Sequence, residues 1–204
     1  MFIALVNRPA THPVPAHTTL YQFCTFFGIA EDHGVNPGLP DMITFVSVDV
    51  RPATDEDVDA VVDLFRQYLW FYEQEVPDAE ARAYLTARRD AGDSVLLVAE
   101  VAVEGADPAE DARIVGFAQS YPTWSSVSLS RSWVLNDLFV SPAARGTGAA
   151  RALVQETARL AKESGAIRVS LATAWDNVAA QGLYESEGFV RDQHFHHYAY
   201  VTGA

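Results

Sequence analysis

The chain has 204 residues, 49% of them hydrophobic, enough to close a core around one domain with length to spare. Its 14 basic and 27 acidic residues leave a formal net charge of -13, which repels nucleic-acid phosphates and tilts the surface toward cationic partners. No apolar run approaches the ~20 residues of a membrane span; Met1–Pro9 reads as a poor signal peptide, and the one cysteine, Cys24, excludes an intrachain disulfide, so a reducing, cytoplasmic location is expected.

Residues 1–42 carry Pro9, Pro13, Pro15, Pro37 and Pro40 and little periodicity. They are expected to be an extension, dispensable or a non-native start, with one domain over residues 43–204. A strand is expected over Ile43–Val50, then a helix opened by Thr54 and Asp57 in a capping-box-like start, with Val58, Val61, Val62, Phe65 and Leu69 at helical spacing. A second helix is expected over Asp78–Arg89. Val95–Val103 reads as a buried strand, Glu104–Asp111 as an acidic turn, and Arg113–Tyr121 as a strand stopped by Pro122. Trp133–Val140 is the next strand. A helix follows with Ala150, Leu153, Val154, Thr157 and Ala161 on one face, then a strand at Ile167–Thr173, a short helix at Asp176–Glu187, and one or two strands in Phe189–Val201. The order is that of a mixed α/β domain.

The chemistry concentrates where Leu138-Phe139-Val140-Ser141-Pro142 runs into Arg145-Gly146-Thr147-Gly148-Ala149-Ala150. A buried strand here feeds a glycine turn at a helix N-terminus. Glycines let a ligand approach the backbone, and the first helical amides and the dipole make an anion site to which Arg145 can add a charge-assisted contact. The turn has no lysine for a phosphate-binding P-loop, and Arg151 stands where a dinucleotide fingerprint needs a small residue.

The turn resembles the acetyl-CoA signature of the GCN5-related N-acetyltransferase (GNAT) superfamily, Arg/Gln-x-x-Gly-x-Gly/Ala. Asn177-x-x-Ala180-x-x-Leu183-Tyr184-x-x-x-Gly188-Phe189 resembles that family's second hallmark. The resemblance covers about residues 43–202. It implies a mostly antiparallel splayed sheet of about six to seven strands flanked by about four helices. It also implies acetyl transfer from acetyl-CoA to an amine without a metal. On that resemblance, the backbone of Leu138, Phe139 and Val140 pairs with the pantetheine amides. Arg145, Gly146, Thr147, Gly148, Ala149 and Ala150 hold the diphosphate, Asn177 meets the pantetheine arm or a nearby backbone group, and Tyr184 lies by the thioester sulfur. Phe117–Ser126 with Leu135–Val140 looks like a branch related to fungal acetyltransferases of histones, polyamines and D-amino acids.

Asn177 and Tyr184 are about two helical turns apart, roughly 10 Å, on nearly the same face. An ammonium must lose a proton before it attacks. Asp137, on the cofactor strand, and Glu73 are the candidate bases, and Glu73 could instead bind a cationic substrate. In the family's layout Tyr72, Glu73, Tyr121 and Trp124 border the acceptor groove, whereas Phe71 is expected in the core. The expected partner is a small primary amine such as a polyamine or amino acid, with no nucleic acid or membrane; a homodimer is compatible with the sequence. A non-catalytic acyl-CoA sensor and a protein lysine or N-terminal acetyltransferase are the alternatives. His194, His196 and His197 have no clear companion ligand and are read as a polar strand rather than a metal site.

Overall fold

The computed structural model describes residues 46–103, 112–200 and 202; the expected N-terminal extension and the acidic turn at 104–111 lie outside the described residues. Five strands form one sheet in chain order. They are β1 (Val46–Pro52), β2 (Val95–Val103), β3 (Arg113–Ser125), β4 (Ser130–Val140) and β5 (Ala166–Ser170). The first four are antiparallel, and β5 joins β4 in parallel. The helices are α1 (Val58–Phe71), α2 (Asp78–Ala91), α3 (Ala149–Glu163) and α4 (Val178–Ser186).

Strand alternation divides the core in two. Val98 and Phe117 pack with Val61, Val62, Leu64, Phe65 and Tyr68 of α1 and with Ala81 and Leu85 of α2. Their chain neighbours Leu97, Ala99 and Ala118 turn the other way, onto Ala149, Leu153 and Val154 of α3. Each large side chain so buried contributes about 1.5–3 kcal/mol. On α3 the innermost first-turn residue is Ala149, while Ala150 is half-buried.

Strand β4 changes phase along its length. Gln119 of β3 faces Asp137 and the next residue, Ser120, faces Leu135, so Asn136 is an extra residue, a β-bulge. A strand that kept these residues but ran regularly, without the bulge, would put Leu135 and Asp137, two residues apart, on one face. With it Leu135 packs on the α3 side while Asp137 reaches α1, where the Tyr68 hydroxyl meets it.

Three expectations are corrected. Strand β3 continues through Pro122 to Ser125. Pairing with β2 ends at Ser120, so beyond it β3 has a partner only in β4, and an open edge tolerates a residue without an N–H. No strand forms over residues 189–200, all exposed except Phe189; the sheet of the described residues therefore has five strands rather than six or seven. Phe71 is 60% exposed rather than in the core.

The start of α1 is locked electrostatically. The Asp57 carboxylate accepts the Thr54 backbone N–H at 2.6 Å and the Thr54 hydroxyl at 2.8 Å. Arg51 grips it with both terminal nitrogens, at 2.6 and 2.8 Å, and also pairs with Glu100. Arg51 first, then the Thr54 bonds, hold the Asp57 carboxyl well below the usual carboxylate range, against the opposing effect of burial. A depressed carboxyl contributes stability that is full above its unfolded pKa of ~3.9 and is lost as pH falls below it. Asp57→Ala is expected to cost about 2–3 kcal/mol at pH 7 and to flatten the acid loss of stability. Urea melts at pH 7 and pH 3 check both.

Candidate active site

The glycine turn follows from chain direction. The Ser141 N–H ties the end of β4 to the Val115 carbonyl at 2.8 Å, and a short 3-10 turn, Pro142–Ala144, redirects the chain toward α3. The Thr147 hydroxyl donates to the Ala144 carbonyl at 2.8 Å and closes the loop. Gly146 and Gly148 take φ of +85° and +93°, conformations that disfavour side chains. A Cβ on either would meet no protein atom within 4 Å, so the ground before them is open to a ligand. Among the described residues, the amides of Gly146, Gly148, Ala149, Ala150 and Arg151 find no protein acceptor. Arg145 stands exposed beside them. Backbone donors, a helix dipole and one guanidinium together make a cradle suited to an anion.

A cleft leads up to that cradle. Strand β5 stays with β4 only as far as Val134 opposite Ser170, stopping short of the expected Thr173. From Leu135 through Leu138, Phe139 and Val140, one edge of β4 has no strand partner among the described residues. Helix α4 flanks the gap. Asn177 caps it, its Oδ1 accepting the Ala180 N–H at 3.2 Å, so its expected backbone contact is to its own helix. Glu187, just past α4, is fixed to α3 by an ion pair with Arg151 and by the Gln155 amide at 2.8 Å. Tyr184 packs on Phe189, ring centroids 5.9 Å apart. Burial, and then its neighbour Tyr72, push the Tyr184 phenol up to about 12.

Deeper in lies Asp137, 6% exposed. Its Oδ1 accepts the Tyr68 hydroxyl at 2.8 Å and the Asn136 Nδ2 at 3.1 Å. Burial drives its carboxyl above the ordinary range, and these two bonds oppose that rise. Tyr72 stacks edge-on against Tyr68 with centroids 5.0 Å apart. It lies close enough to Asp137 and Tyr184 for their charges to interact. Tyr121 closes another side, its hydroxyl 2.5 Å from that of Tyr84; burial raises its phenol most, with Tyr84 and Asp137 adding to the effect.

The structure therefore brings Asp137, Tyr72 and Tyr121 into one neighbourhood through Tyr68 and Tyr84, with Tyr184 near Tyr72. It sets two expected residues apart. Trp124 is 68% exposed, its ring covered by the Arg131 guanidinium 5.0 Å from the centroid. Glu73 lies in the turn after α1 with a positive φ of 59°, on a surface hollow with Trp70, Phe71 and Glu75. Of the two candidate bases, only Asp137 is buried and oriented. Sequence reading missed Tyr68. Its place on the buried stripe of α1, three residues after Phe65 and seven after Val61, marked it as core and gave no sign of a polar partner. Among the described residues, no group of three or more His, Cys, Asp or Glu side chains could hold a metal, and no helix is long and apolar enough to cross a membrane.

A sheet that parts beside a helix-N-terminal anion cradle is the architecture of acyl-CoA-dependent acyltransferases, with the thioester arm entering the gap as an extra strand. Comparison with known proteins gives the particular group: residues 60–189 match the Acetyltransferase (GNAT) family, and the chain belongs to it. It is 40% identical over 151 residues to the Uncharacterized N-acetyltransferase YhfO of Bacillus subtilis (strain 168), covering 74% of this chain and 95% of that one. A crystal structure of a probable acetyltransferase superposes with a TM-score of 0.68 at 35% identity, covering 76% of this chain and 99% of the other. An aminoglycoside acetyltransferase from a soil metagenome shares the fold, with a TM-score of 0.60 at 19% identity over 76% of this chain and 97% of its own.

Proposed function

We propose that this acetyltransferase moves an acetyl group from acetyl-CoA to the primary amine of a small molecule, by direct attack within a ternary complex. The observation that carries the reading is the continuity of one surface: free amides in the 145–150 turn, the open edge of β4, and a buried carboxylate at its inner end. Arg145 and the free amides of Gly146, Gly148, Ala149 and Ala150 hold the diphosphate, with Thr147 closing the loop behind them. The backbone of Leu138, Phe139 and Val140 orients the pantetheine arm, and the free Nδ2 of Asn177 faces it from α4. When bound, acetyl-CoA supplies the thioester carbonyl and the leaving sulfur. The resident groups manage protons and charge, and no metal is assigned a role.

Asp137 removes the proton that keeps an amine from attacking. An ordinary carboxylate at ~4 is a feeble base for an ammonium at ~10, and a raised one is better matched to neutral pH. Amides on the open edge of β4, near Phe139 and Val140, are placed to stabilise charge on the carbonyl oxygen. Tyr184 stays protonated at pH 7. A phenol near 12 is about three units less acidic than an ordinary thiol at ~8.5. It therefore steadies the departing sulfur by donating a hydrogen bond, and complete transfer of its proton is uphill. Tyr184→Phe is expected to lower turnover about 10–100-fold while acetyl-CoA affinity stays within a factor of about two. Single-turnover kinetics with calorimetry checks this; unchanged turnover removes Tyr184 from the chemistry.

The acceptor lies among Tyr72, Tyr121 and Asp137, with Trp124 and Glu73 at the outer rim. Aromatic walls over a carboxylate suit a cationic amine, in keeping with the net charge of -13. The domain is taken as residues 43–204, working in the cytoplasm. Calorimetry with acetyl-CoA and thiol release against an amine panel test the reading: no heat at high micromolar acetyl-CoA defeats it, and binding without thiol release from any amine favours a sensor.

A further inference from the structure

The two oxygens of Asp137 are not equivalent. Oδ1 receives both donors, the Tyr68 hydroxyl and the Asn136 amide. Oδ2 accepts no hydrogen bond among the described residues, and the residue as a whole keeps 6% of its surface exposed. The two donors come from separate elements. Tyr68 descends from α1, stacked on Phe65 and edge-on to both Tyr72 and Phe117. Asn136 is the bulge residue itself. The same irregularity that turns Asp137 toward α1 thus supplies a side chain to bind it.

We propose that Tyr68 and Asn136 are positioning residues that saturate Oδ1 of Asp137 and reserve Oδ2 as the atom that takes the acceptor's proton. The inference rests on Asp137 as the base of the acetyl transfer proposed above. In the step, one N–H bond of the acceptor ammonium breaks, an O–H bond forms at Oδ2, and the electron pair stays on nitrogen for the attack. Both bonds to Oδ1 favour the carboxylate form and keep the proton off that oxygen. Other polar groups around the carboxyl set no competing geometry. Tyr72, which caps the end of α1, and Tyr121 of β3 are neutral phenols, and from α2 Tyr84 is engaged with Tyr121 while Arg88 pairs with Asp93. Gln119, opposite in the ladder, directs its amide to Ser94 at 3.1 Å.

The test separates position from packing. In protein labelled with ¹³C at the aspartate carboxyls, the Asp137 resonance is assigned by its loss in Asp137→Asn, then titrated in the wild type, Tyr68→Phe and Asn136→Ser. Tyr68→Phe keeps the ring and its stacking, so a purely structural role predicts an unmoved titration. Loss of a charge-favouring bond predicts an upward shift of about one pH unit for Tyr68→Phe and a smaller one for Asn136→Ser. With the best amine of the panel, the acid limb of kcat/KM moves up in parallel, about tenfold slower below the limb, with acceptor KM little changed. Unshifted titrations in both variants overturn the proposal, even with activity lowered. An acid limb that persists in Asp137→Asn shows that Asp137 is not the base, which overturns it by a different route and leaves acetyl-CoA binding, read by calorimetry, as the separate measure of the transferase reading.

Discussion

Gly148→Glu is expected to abolish measurable acetyl-CoA binding while the fold survives. Gly148 caps α3 with φ of +93°, and a side chain there costs about 1–2 kcal/mol of backbone strain. The new Cβ collides with nothing, since no protein atom lies within 4 Å of it. The melting temperature should therefore fall by only a few degrees. The carboxylate, however, would stand in front of amides that wait for phosphate oxygens, and affinity should drop more than about 100-fold, roughly 3 kcal/mol or beyond. Gly148→Ala bears the same strain without the charge and should lose far less. Calorimetry on both variants, beside thermal melts, distinguishes occlusion from strain; wild-type affinity in the Glu variant would remove the turn from the site.

Asp137→Asn is expected to reduce turnover about 10²–10⁴-fold, the usual contribution of a positioned general base, with acetyl-CoA affinity unchanged. The replacement is nearly isosteric, and its side-chain carbonyl can still accept the Tyr68 hydroxyl, so the buried network survives in outline. A neutral amide has no oxygen that takes a proton at working pH. Single-turnover rates across pH, on protein whose melting curve matches the wild type, measure the loss. Full activity would transfer the base function elsewhere, first to Glu73, which is exposed and 64 positions upstream.

Much of the scaffold could be read from local signals. The stripe on α1, the period of α3 and the apolar run of β2 each declare an element because one face is buried. The glycine turn was legible because backbone geometry and anion binding demand the same residues. Other features depend on tertiary context. Pro122 looked like a strand terminator, yet a strand edge left open past Ser120 accepts it. The aromatic and histidine alternation after Phe189 looked like strands, yet residues 190–200 are exposed and form none. Asn177 suggested a ligand contact, and its oxygen caps a helix. Tyr68 was invisible as a polar residue because its partner is 69 positions away. Asp137 and Glu73 both stood as candidate bases in the sequence, with Glu73 also a candidate for holding a cationic substrate, and burial separates them.

The extra residue in β4 has a consequence for what the strand can tolerate. Deleting Asn136 would leave Asp137 opposite Gln119 and Leu135 opposite Ser120 in a regular ladder, each on the side it holds now. What would be lost is the amide that meets Oδ1 of Asp137, so the cost would fall on the setting of that carboxyl rather than on the packing of the sheet. At this one point composition is therefore more constrained than length: the strand could be shortened by a single unit, but the carboxyl would then be left with one donor instead of two.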